Sequence, residues 1–147
     1  MGKKQITSSH NVVIVTDALA EEIDYEQVDM IVLPGGLPGT TYLSESIFVR
    51  RACIEFSKDR FIAAICAAPS VLASLGLLDG KKATCHPSFR DKLGNAVVSE
   101  EEVVVTNNII TGRGLGAGIP FALKLIEILT DSDVARRIAD SISFKGK

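Results

Sequence analysis

Short apolar runs alternate with segments of helical periodicity along much of this chain. The strand predictions are 11–15, 30–33, 61–65, 82–85, 97–99, 103–106 and 109–111, the last two joined by a hairpin turn at Asn107-Asn108. The helix predictions are 47–58 with Ser44 as its N-cap, 67–75, 115–129, and a final helix from Asp131 or Ser132 to about Ser143. Because continuous apolar strands are typical of parallel sheets covered on both faces, the pattern predicts a layered α/β sandwich with a mainly parallel sheet.

Composition narrows the class of protein. A chain of 147 residues with 46% hydrophobic content suits one domain over 1–147. Its formal net charge of -2 gives no electrostatic reason to expect nucleic acid or an anionic membrane as a partner. No apolar run reaches the ~18 residues of a membrane span, and the first ten residues lack the apolar core of a signal peptide. Three cysteines form no disulfide framework, so we expect a reducing cytoplasm.

The segment 61–69, with the sequence FIAAICAAP, carries the most information about chemistry. It predicts a buried strand that ends on Cys66 and turns at once into a helix. Ala64 and Ala68, two residues before and two after, are small, as a sharp nucleophile elbow requires. A helix N-terminus favours an anion, so we expect Cys66 to react as its thiolate. The alternative is an inert cysteine in a buried strand, because unpaired cysteines are often core residues.

Three predicted strands end in small or reactive residues, namely Gly35-Gly36, Cys66-Ala67 and His86-Pro87. Ligands bind at the carboxyl ends of parallel strands, so we expect these ends to converge on one crevice. Cys66 would be the nucleophile and His86 its base or proton shuttle. The N–H groups of Gly36 and Ala67 would form an oxyanion hole. The alternatives are a simple turn at the glycines and a packed or exposed histidine.

Metal and nucleotide sites have weaker support. Cys85 adjoins His86, but neighbours on an extended strand point to opposite faces, so we expect no metal site there. The segment 112–117 matches a variant dinucleotide fingerprint, yet a second helix follows where a nucleotide fold needs a strand and an acidic residue. We interpret these glycines as a tight loop near the crevice. Arg113 would hold a substrate carboxylate there, or form a surface salt bridge.

Four blocks together resemble the ThiJ/PfpI superfamily, and within it the DJ-1 branch. The blocks are 32–36 (VLPGG), 63–69 (AAICAAP), 85–87 (CHP) and 111–114 (TGRG), and their order and spacing agree over essentially the whole chain.

The resemblance implies a flavodoxin-like three-layer α/β sandwich, a homodimer, no cofactor and no metal. It makes Cys66 the reactive, oxidisable residue with His86 beside it, gives Gly35, Gly36, Ala67 and Arg113 oxyanion or substrate-binding roles, and adds His10 and Pro87 to the pocket. Activities of the family include conversion of methylglyoxal to a hydroxy acid, disputed deglycation, peptide hydrolysis, redox sensing and chaperone action.

One departure from the family pattern is large. Members begin with a strand, an acidic elbow and a long helix before the part that matches 2–11, and that first unit supplies a glutamate that hydrogen-bonds the cysteine. No residue here inherits its role. Loss of a central strand would leave unpaired backbone groups and a bare apolar face. We therefore expect Met1 to be an internal methionine of a longer protein, with a second copy or a complementing N-terminal segment as partner.

Three functional hypotheses follow. The first is a cysteine-dependent enzyme that converts reactive carbonyls such as methylglyoxal to lactate, impaired by the missing glutamate. The second is a redox-responsive stress or chaperone-like protein that acts through oxidation of Cys66. The third is a non-catalytic fragment. Proteolysis depends on oligomeric contacts that one chain does not reveal, and glutamine amidotransfer lacks its His-x-Glu pair, because His10 precedes Asn11-Val12 and His86 precedes Pro87-Ser88.

Overall fold

Eight strands and five α-helices make up the regular structure of residues 3–8 and 10–146, the part of the chain that the computed structural model describes. The strands are β1 (Gln5–Thr7), β2 (Val13–Val15), β3 (Met30–Leu33), β4 (Phe61–Ile65), β5 (Lys82–Ala83), β6 (Val97–Val98), β7 (Val103–Thr106) and β8 (Ile109–Gly112). The helices are α1 (Gly39–Glu45), α2 (Ile47–Asp59), α3 (Pro69–Ser74), α4 (Gly118–Leu129) and α5 (Ser132–Ser141). Short 3₁₀ helices lie at Ala20–Glu22, Tyr25–Gln27, Pro87–Lys92 and Leu115–Ala117.

A four-stranded sheet in the order β3-β4-β8-β7 forms the centre of the molecule. Strands β3, β4 and β8 are parallel, and β7 closes one side as an antiparallel partner of β8. In the register, Leu33 lies opposite Ala64, and Ala64 lies opposite Thr111. The hairpin β1–β2 and the parallel pair β5–β6 are separate small sheets. The predicted α/β fold with a mainly parallel sheet is therefore confirmed.

The central strand β4 is buried on both faces because helices cover both sides of the sheet there. Ile62 and Ala64 of β4 face a core that contains Phe56 of α2 and Leu72 of α3. Ala63, between them on the strand, faces the opposite side with Ile110 and Phe121, the latter from α4. Since successive strand residues point to opposite faces, an unbroken apolar run is needed to fill both layers. This arrangement is a three-layer sandwich.

The structure corrects several predicted boundaries. The N-cap of α2 is Ser46, whose Oγ accepts the N–H of Val49 at 3.3 Å, and not Ser44, which lies inside the unpredicted helix α1. The helix predicted over 67–75 is shorter, because α3 spans only Pro69–Ser74. The helix predicted over 115–129 begins with a 3₁₀ turn at Leu115–Ala117 and is α-helical from Gly118. The strand predicted over 82–85 ends at Ala83 and pairs with β6, so it lies outside the main sheet. Asp131 caps α5, accepting the N–H of Val134 at 2.8 Å.

No strand among the described residues pairs with the outer side of β3. Val32 on this strand is 47% exposed, although its run of four apolar residues suits a buried strand. In the hairpin, Val13, Ile14 and Val15 are all at least half exposed. The sheet thus presents an open edge, and apolar surface remains uncovered. None of the helices described is long and apolar enough to cross a membrane.

The hairpin between β7 and β8 turns at Asn107, which has φ +55°, a conformation that asparagine tolerates better than most residues. The next residue, Asn108, ties this turn to the end of α2. Its Nδ2 lies 2.6 Å from the carbonyl oxygen of Arg60, 3.1 Å from that of Ser57 and 3.3 Å from that of Phe56. One amide group thereby satisfies the Ser57 and Arg60 carbonyls and adds a second contact to the Phe56 carbonyl, which already accepts the N–H of Arg60 at 2.9 Å.

We expect Asn108→Asp to lower the free energy of unfolding by about 1–3 kcal/mol, because it removes the donor and sets a carboxylate against carbonyl oxygens. Asn107→Asp is the matched control, since Asn107 is exposed on the turn and aspartate also tolerates its backbone conformation. Urea unfolding of both variants measures the difference. Equal stabilities of the two variants would show that the amide of Asn108 does not tie the hairpin to α2.

Candidate active site

Cys66 occupies a sharp turn between β4 and α3. Its φ is +66°, a left-handed conformation that costs a residue other than glycine about 1 kcal/mol or more. Two hydrogen bonds hold the turn: the Cys66 N–H donates to the Gly112 carbonyl at 2.9 Å, and the Ala68 N–H donates to the Ile65 carbonyl at 3.1 Å. Strained backbone of this kind concentrates at functional sites. The structure therefore places Cys66 on an elbow of the geometry that its flanking small residues predict.

The Gly35-Gly36 loop packs directly against this elbow. A Cβ atom on Gly35 would lie 2.5 Å from the Cys66 Cβ and 2.8 Å from the Ile65 carbonyl oxygen, so only glycine fits. Gly36 has φ +88°. Its carbonyl oxygen accepts two hydrogen bonds from Thr40, one from the backbone N–H at 2.9 Å and one from the Oγ1–H at 2.8 Å. The loop after β3 is thus fixed against the cysteine by close backbone contact at one end and by α1 at the other.

Two backbone donors lie unpaired beside the cysteine. Within the described residues, the N–H groups of Gly36 and Ala67 have no hydrogen-bond acceptor. Ala67 is only 2% exposed, and a Cβ on Gly35 would lie 3.2 Å from its nitrogen. Buried N–H groups are nearly always paired, so the unpaired N–H of Ala67 is available to a bound oxygen, while that of the exposed Gly36 is open to solvent or ligand. Donors next to a nucleophile can stabilise the oxyanion that forms when it attacks a carbonyl.

His86 reaches the elbow although its strand lies in a different sheet. Its N–H donates to the Cys66 carbonyl at 2.9 Å. Its ring Nδ1 accepts the N–H of Ser88 at 3.3 Å and lies 2.7 Å from the Ser88 Oγ. With Nδ1 as an acceptor, the neutral ring carries its proton on Nε2, which has no partner among the described residues. In this state His86 can donate a hydrogen bond to a substrate oxygen.

An open pocket of about 650 Å³ lies at this end of the sheet. It is lined by Cys66, His86, Pro87, Glu102, Arg113, Gly114, Leu115, Gly116 and Ala117. Four of the predicted site residues thus share one pocket: Cys66, His86, Pro87 and Arg113. Gly35, Gly36 and Ala67 adjoin the elbow but are not among the lining residues, and neither is His10, which lies in the turn between β1 and β2.

Sequence reasoning missed two residues of the pocket wall, Glu102 and Leu115. Leu115 is 95% exposed, so a large apolar side chain stands open to solvent at the site. Glu102 belongs to the acidic run Glu100-Glu101-Glu102, in which no local sequence signal distinguishes a pocket residue from a solvated one. The glycine loop after β8 does lie at the pocket, where it was expected. Among the residues described, no three potential ligands are grouped closely enough to hold a metal ion.

Glu100 holds Arg113 in place. The Arg113 Nη2 lies 3.1 Å from the Glu100 Oε2, and its Nη1 donates to the Glu100 carbonyl at 3.3 Å. The same carboxylate pairs with Arg90, at 2.5 Å from Oε1. Exposed ion pairs add little stability, typically below about 1 kcal/mol. This cluster matters more because it fixes the position of a guanidinium group on the pocket wall.

The DJ-1/PfpI family model matches residues 1–128 of this chain, and these residues contain the elbow, the histidine and the pocket. The chain belongs to the DJ-1/PfpI family. It is 41% identical to protein DJ-1alpha of Drosophila melanogaster over 142 residues, which cover 93% of this chain and 65% of that protein. It is 33% identical to the Caenorhabditis elegans glutathione-independent glyoxalase DJR-1.2 over 119 residues, covering 79% of this chain and 63% of the relative. The chain thus spans about two thirds of the length of both relatives.

Solved structures of the family share the fold. The oxidized DJ-1 of Toxoplasma gondii superposes with a TM-score of 0.92 at 34% identity, covering 99% of this chain and 80% of that one. DJ-1beta of Drosophila melanogaster gives a TM-score of 0.90 at 34% identity, covering 97% and 78%. The expected resemblance to the DJ-1 branch, and with it the flavodoxin-like sandwich, is confirmed.

The two other cysteines are core residues. Cys53 has no exposed surface, and Cys85 is 3% exposed with its thiol donating to the His86 carbonyl at 3.3 Å. Burial raises the pKa of each thiol to about 11, so both remain protonated at neutral pH. Because the thiolate is the reactive form, neither is suited to act as a nucleophile. Cys66 is the partly exposed cysteine of the three.

Gly35→Ala tests the close approach of the loop to the elbow. We expect it to cost about 1–3 kcal/mol of folding free energy and to change the rate at which Cys66 reacts with iodoacetamide, because the new methyl group collides with Cys66. Gly39→Ala is the matched control, since a Cβ there meets nothing within 4 Å. Denaturant unfolding and thiol labelling report both effects. A Gly35→Ala protein with the stability and labelling rate of the control would contradict this packing.

Thiol selectivity should follow burial and pKa. At pH 8, iodoacetamide should modify Cys66 while Cys53 and Cys85 stay unlabelled, as read by peptide mass spectrometry.

The raised pKa values also affect stability. The folded state holds these two protons more tightly than the unfolded state, whose thiols titrate near 9.0, so the free energy of unfolding should fall as the pH rises from 9.0 towards about 11. Labelling of Cys53 or Cys85 before Cys66 would overturn this assignment.

Proposed function

We propose that this chain uses Cys66 as a cofactor-free nucleophile toward reactive carbonyl compounds such as methylglyoxal. The observation that carries the proposal is the strained elbow, which presents one accessible thiol to an open pocket beside His86 and two unpaired N–H donors. Membership of the DJ-1/PfpI family supports it, because one relative in that family is named a glutathione-independent glyoxalase. The proposal includes methylglyoxal as the substrate, a second copy of the chain or an N-terminal segment as the partner, and removal of sugar-derived adducts as a variant of the same chemistry.

The reaction begins with attack of the Cys66 thiolate on the aldehyde carbon. A carbon–sulfur bond forms, and the carbonyl electron pair moves to the oxygen, where the N–H groups of Gly36 and Ala67 stabilise the charge. The Nε2–H of His86 donates a hydrogen bond to that oxygen. The oxygen takes up a proton from water, equal to the proton that the thiol released to water on forming the thiolate, and a hemithioacetal results.

The next steps move a proton between neighbouring carbons. A base removes the proton from the carbon bonded to sulfur, the enediolate takes a proton on the adjacent carbon, and a lactoyl thioester results. Water attacks the thioester, the Cys66 thiolate leaves, and lactate is released. No side chain among the described residues is assigned as the base for this carbon-to-carbon transfer. We therefore propose that the chain alone forms the adduct readily but produces lactate slowly.

Carbon-13 NMR with labelled methylglyoxal tests both parts of this scheme. We expect the hemithioacetal carbon signal and a slow lactate signal with the unmodified protein. Cys66→Ser should abolish the adduct and reduce lactate formation by about 100-fold or more. Cys53→Ser is the matched control, because its thiol is buried and protonated.

Two results would count against the scheme. Rapid lactate production by the chain alone would show that the carbon-to-carbon proton transfer is not slow. An adduct that persists in Cys66→Ser, or lactate formation that this substitution leaves unchanged, would remove Cys66 from the mechanism altogether.

A further inference from the structure

The acidic run Glu100-Glu101-Glu102 contains two neutralised carboxylates and one that is not. Glu100 pairs with Arg90 and Arg113, and Glu101 pairs with Lys82. The Glu102 carboxylate has no hydrogen bond or ion pair within residues 3–8 and 10–146. It is also the only one of the three that lines the Cys66 pocket. An unpaired carboxylate therefore stands on the wall of the pocket, which the Arg113 guanidinium also lines.

The position of Glu102 is fixed by the sheet. Its carbonyl accepts the N–H of Arg113 at 2.9 Å, and the residues on either side of this contact belong to β7 and β8, where Val103 lies opposite Gly112. Glu102 thus precedes β7 at the same end of the sheet at which Gly112 binds the Cys66 N–H. Glu102 is therefore linked to the elbow through the end of β8, where Arg113 bonds the Glu102 carbonyl and Gly112 bonds the Cys66 N–H.

The positive charges nearby do not pair with it. The Arg113 guanidinium is engaged by the side chain and the carbonyl of Glu100, a carboxylate that also pairs with Arg90. Among the described residues, neither Arg113 nor Lys145, which lines a neighbouring pocket with Glu102, makes a hydrogen bond or ion pair with the Glu102 carboxylate. The pocket can therefore receive a cation at Glu102 independently of any group that binds near Arg113.

Pocket size supports a substrate longer than methylglyoxal. A volume of about 650 Å³ is in the range of sites that hold drug-sized ligands. It is roughly twenty times the ~30 Å³ share of one water molecule, so a three-carbon dicarbonyl leaves most of it to solvent. A substrate whose carbonyl reaches Cys66 has room for a second group elsewhere in the pocket.

From these observations we propose that Glu102 is a specificity residue that selects carbonyl compounds carrying a cationic group. The substrate class is an aldehyde or α-oxoaldehyde with an ammonium or guanidinium group, the carbonyl at Cys66 and the cation at Glu102. This inference deepens the proposed carbonyl chemistry and rests on it, but the charge selection itself can be measured without turnover.

The test measures the rate at which Cys66 reacts with three methanethiosulfonates of similar size, one carrying a trimethylammonium group, one a sulfonate and one neither. In each case the thiolate attacks the sulfenyl sulfur, a disulfide forms and a sulfinate leaves. In Glu102→Gln, the ratio of the cationic to the anionic rate should fall by about 3- to 10-fold, the size expected for one charge acting over several ångströms near a protein surface. The neutral reagent is the reference, because a change in the thiolate fraction of Cys66 alters all three rates by the same factor and leaves the ratio unchanged.

Glu101→Gln is the matched control, because it removes the same charge from the adjacent residue, whose carboxylate is paired with Lys82 away from the pocket. Its rate ratio should equal that of the unmodified protein. An equal fall in both variants, or no fall in Glu102→Gln, would overturn the proposal. Since labelling needs no catalysis, a chain that selects the cationic reagent but forms no lactate would contradict the proposed function alone.

Discussion

Everything at the candidate site depends on the backbone of Cys66 being held in a left-handed turn. The conformation is unfavourable for a cysteine, so it persists only because the surrounding chain fixes it. Its N–H is bound by Gly112 of β8, and its carbonyl is bound by the N–H of His86. One residue thus joins the central sheet to the segment that carries the histidine, and the same turn that exposes the thiol also positions its neighbour.

Sheet architecture explains why this constraint yields a pocket. Strands β3, β4 and β8 are parallel neighbours, so the loops that follow them emerge at one edge. The Gly35-Gly36 loop, the elbow and the loop around Arg113 meet there. Side chains would keep the first two apart, and a Cβ on Gly35 would overlap Cys66. Close backbone contact is therefore what brings N–H donors beside the sulfur.

Local sequence was sufficient for features that local sterics decide. The elbow followed from a buried strand, a cysteine and two small flanking residues, and the hairpin followed from Asn107-Asn108. His86 was assigned to the crevice because its strand was expected in the main sheet. The strand lies elsewhere, and His86 reaches the site through a hydrogen bond to Cys66. The unpaired state of Glu102 and the ion pairs of its neighbours depend on contacts distant in sequence, which periodicity does not encode. Helix α1 was missed for another reason, since it has no clear apolar stripe.

The central claim is that Cys66 forms a covalent bond to a carbonyl carbon whose oxygen is held by the N–H groups of Gly36 and Ala67. A crystal structure of the protein soaked with an aryl glyoxal tests it most directly. The account predicts electron density continuous from the Cys66 Sγ to the aldehyde carbon, with the oxygen within hydrogen-bonding distance of both nitrogens. An adduct on Cys53 or Cys85, or one on Cys66 whose oxygen faces solvent away from those donors, would contradict it.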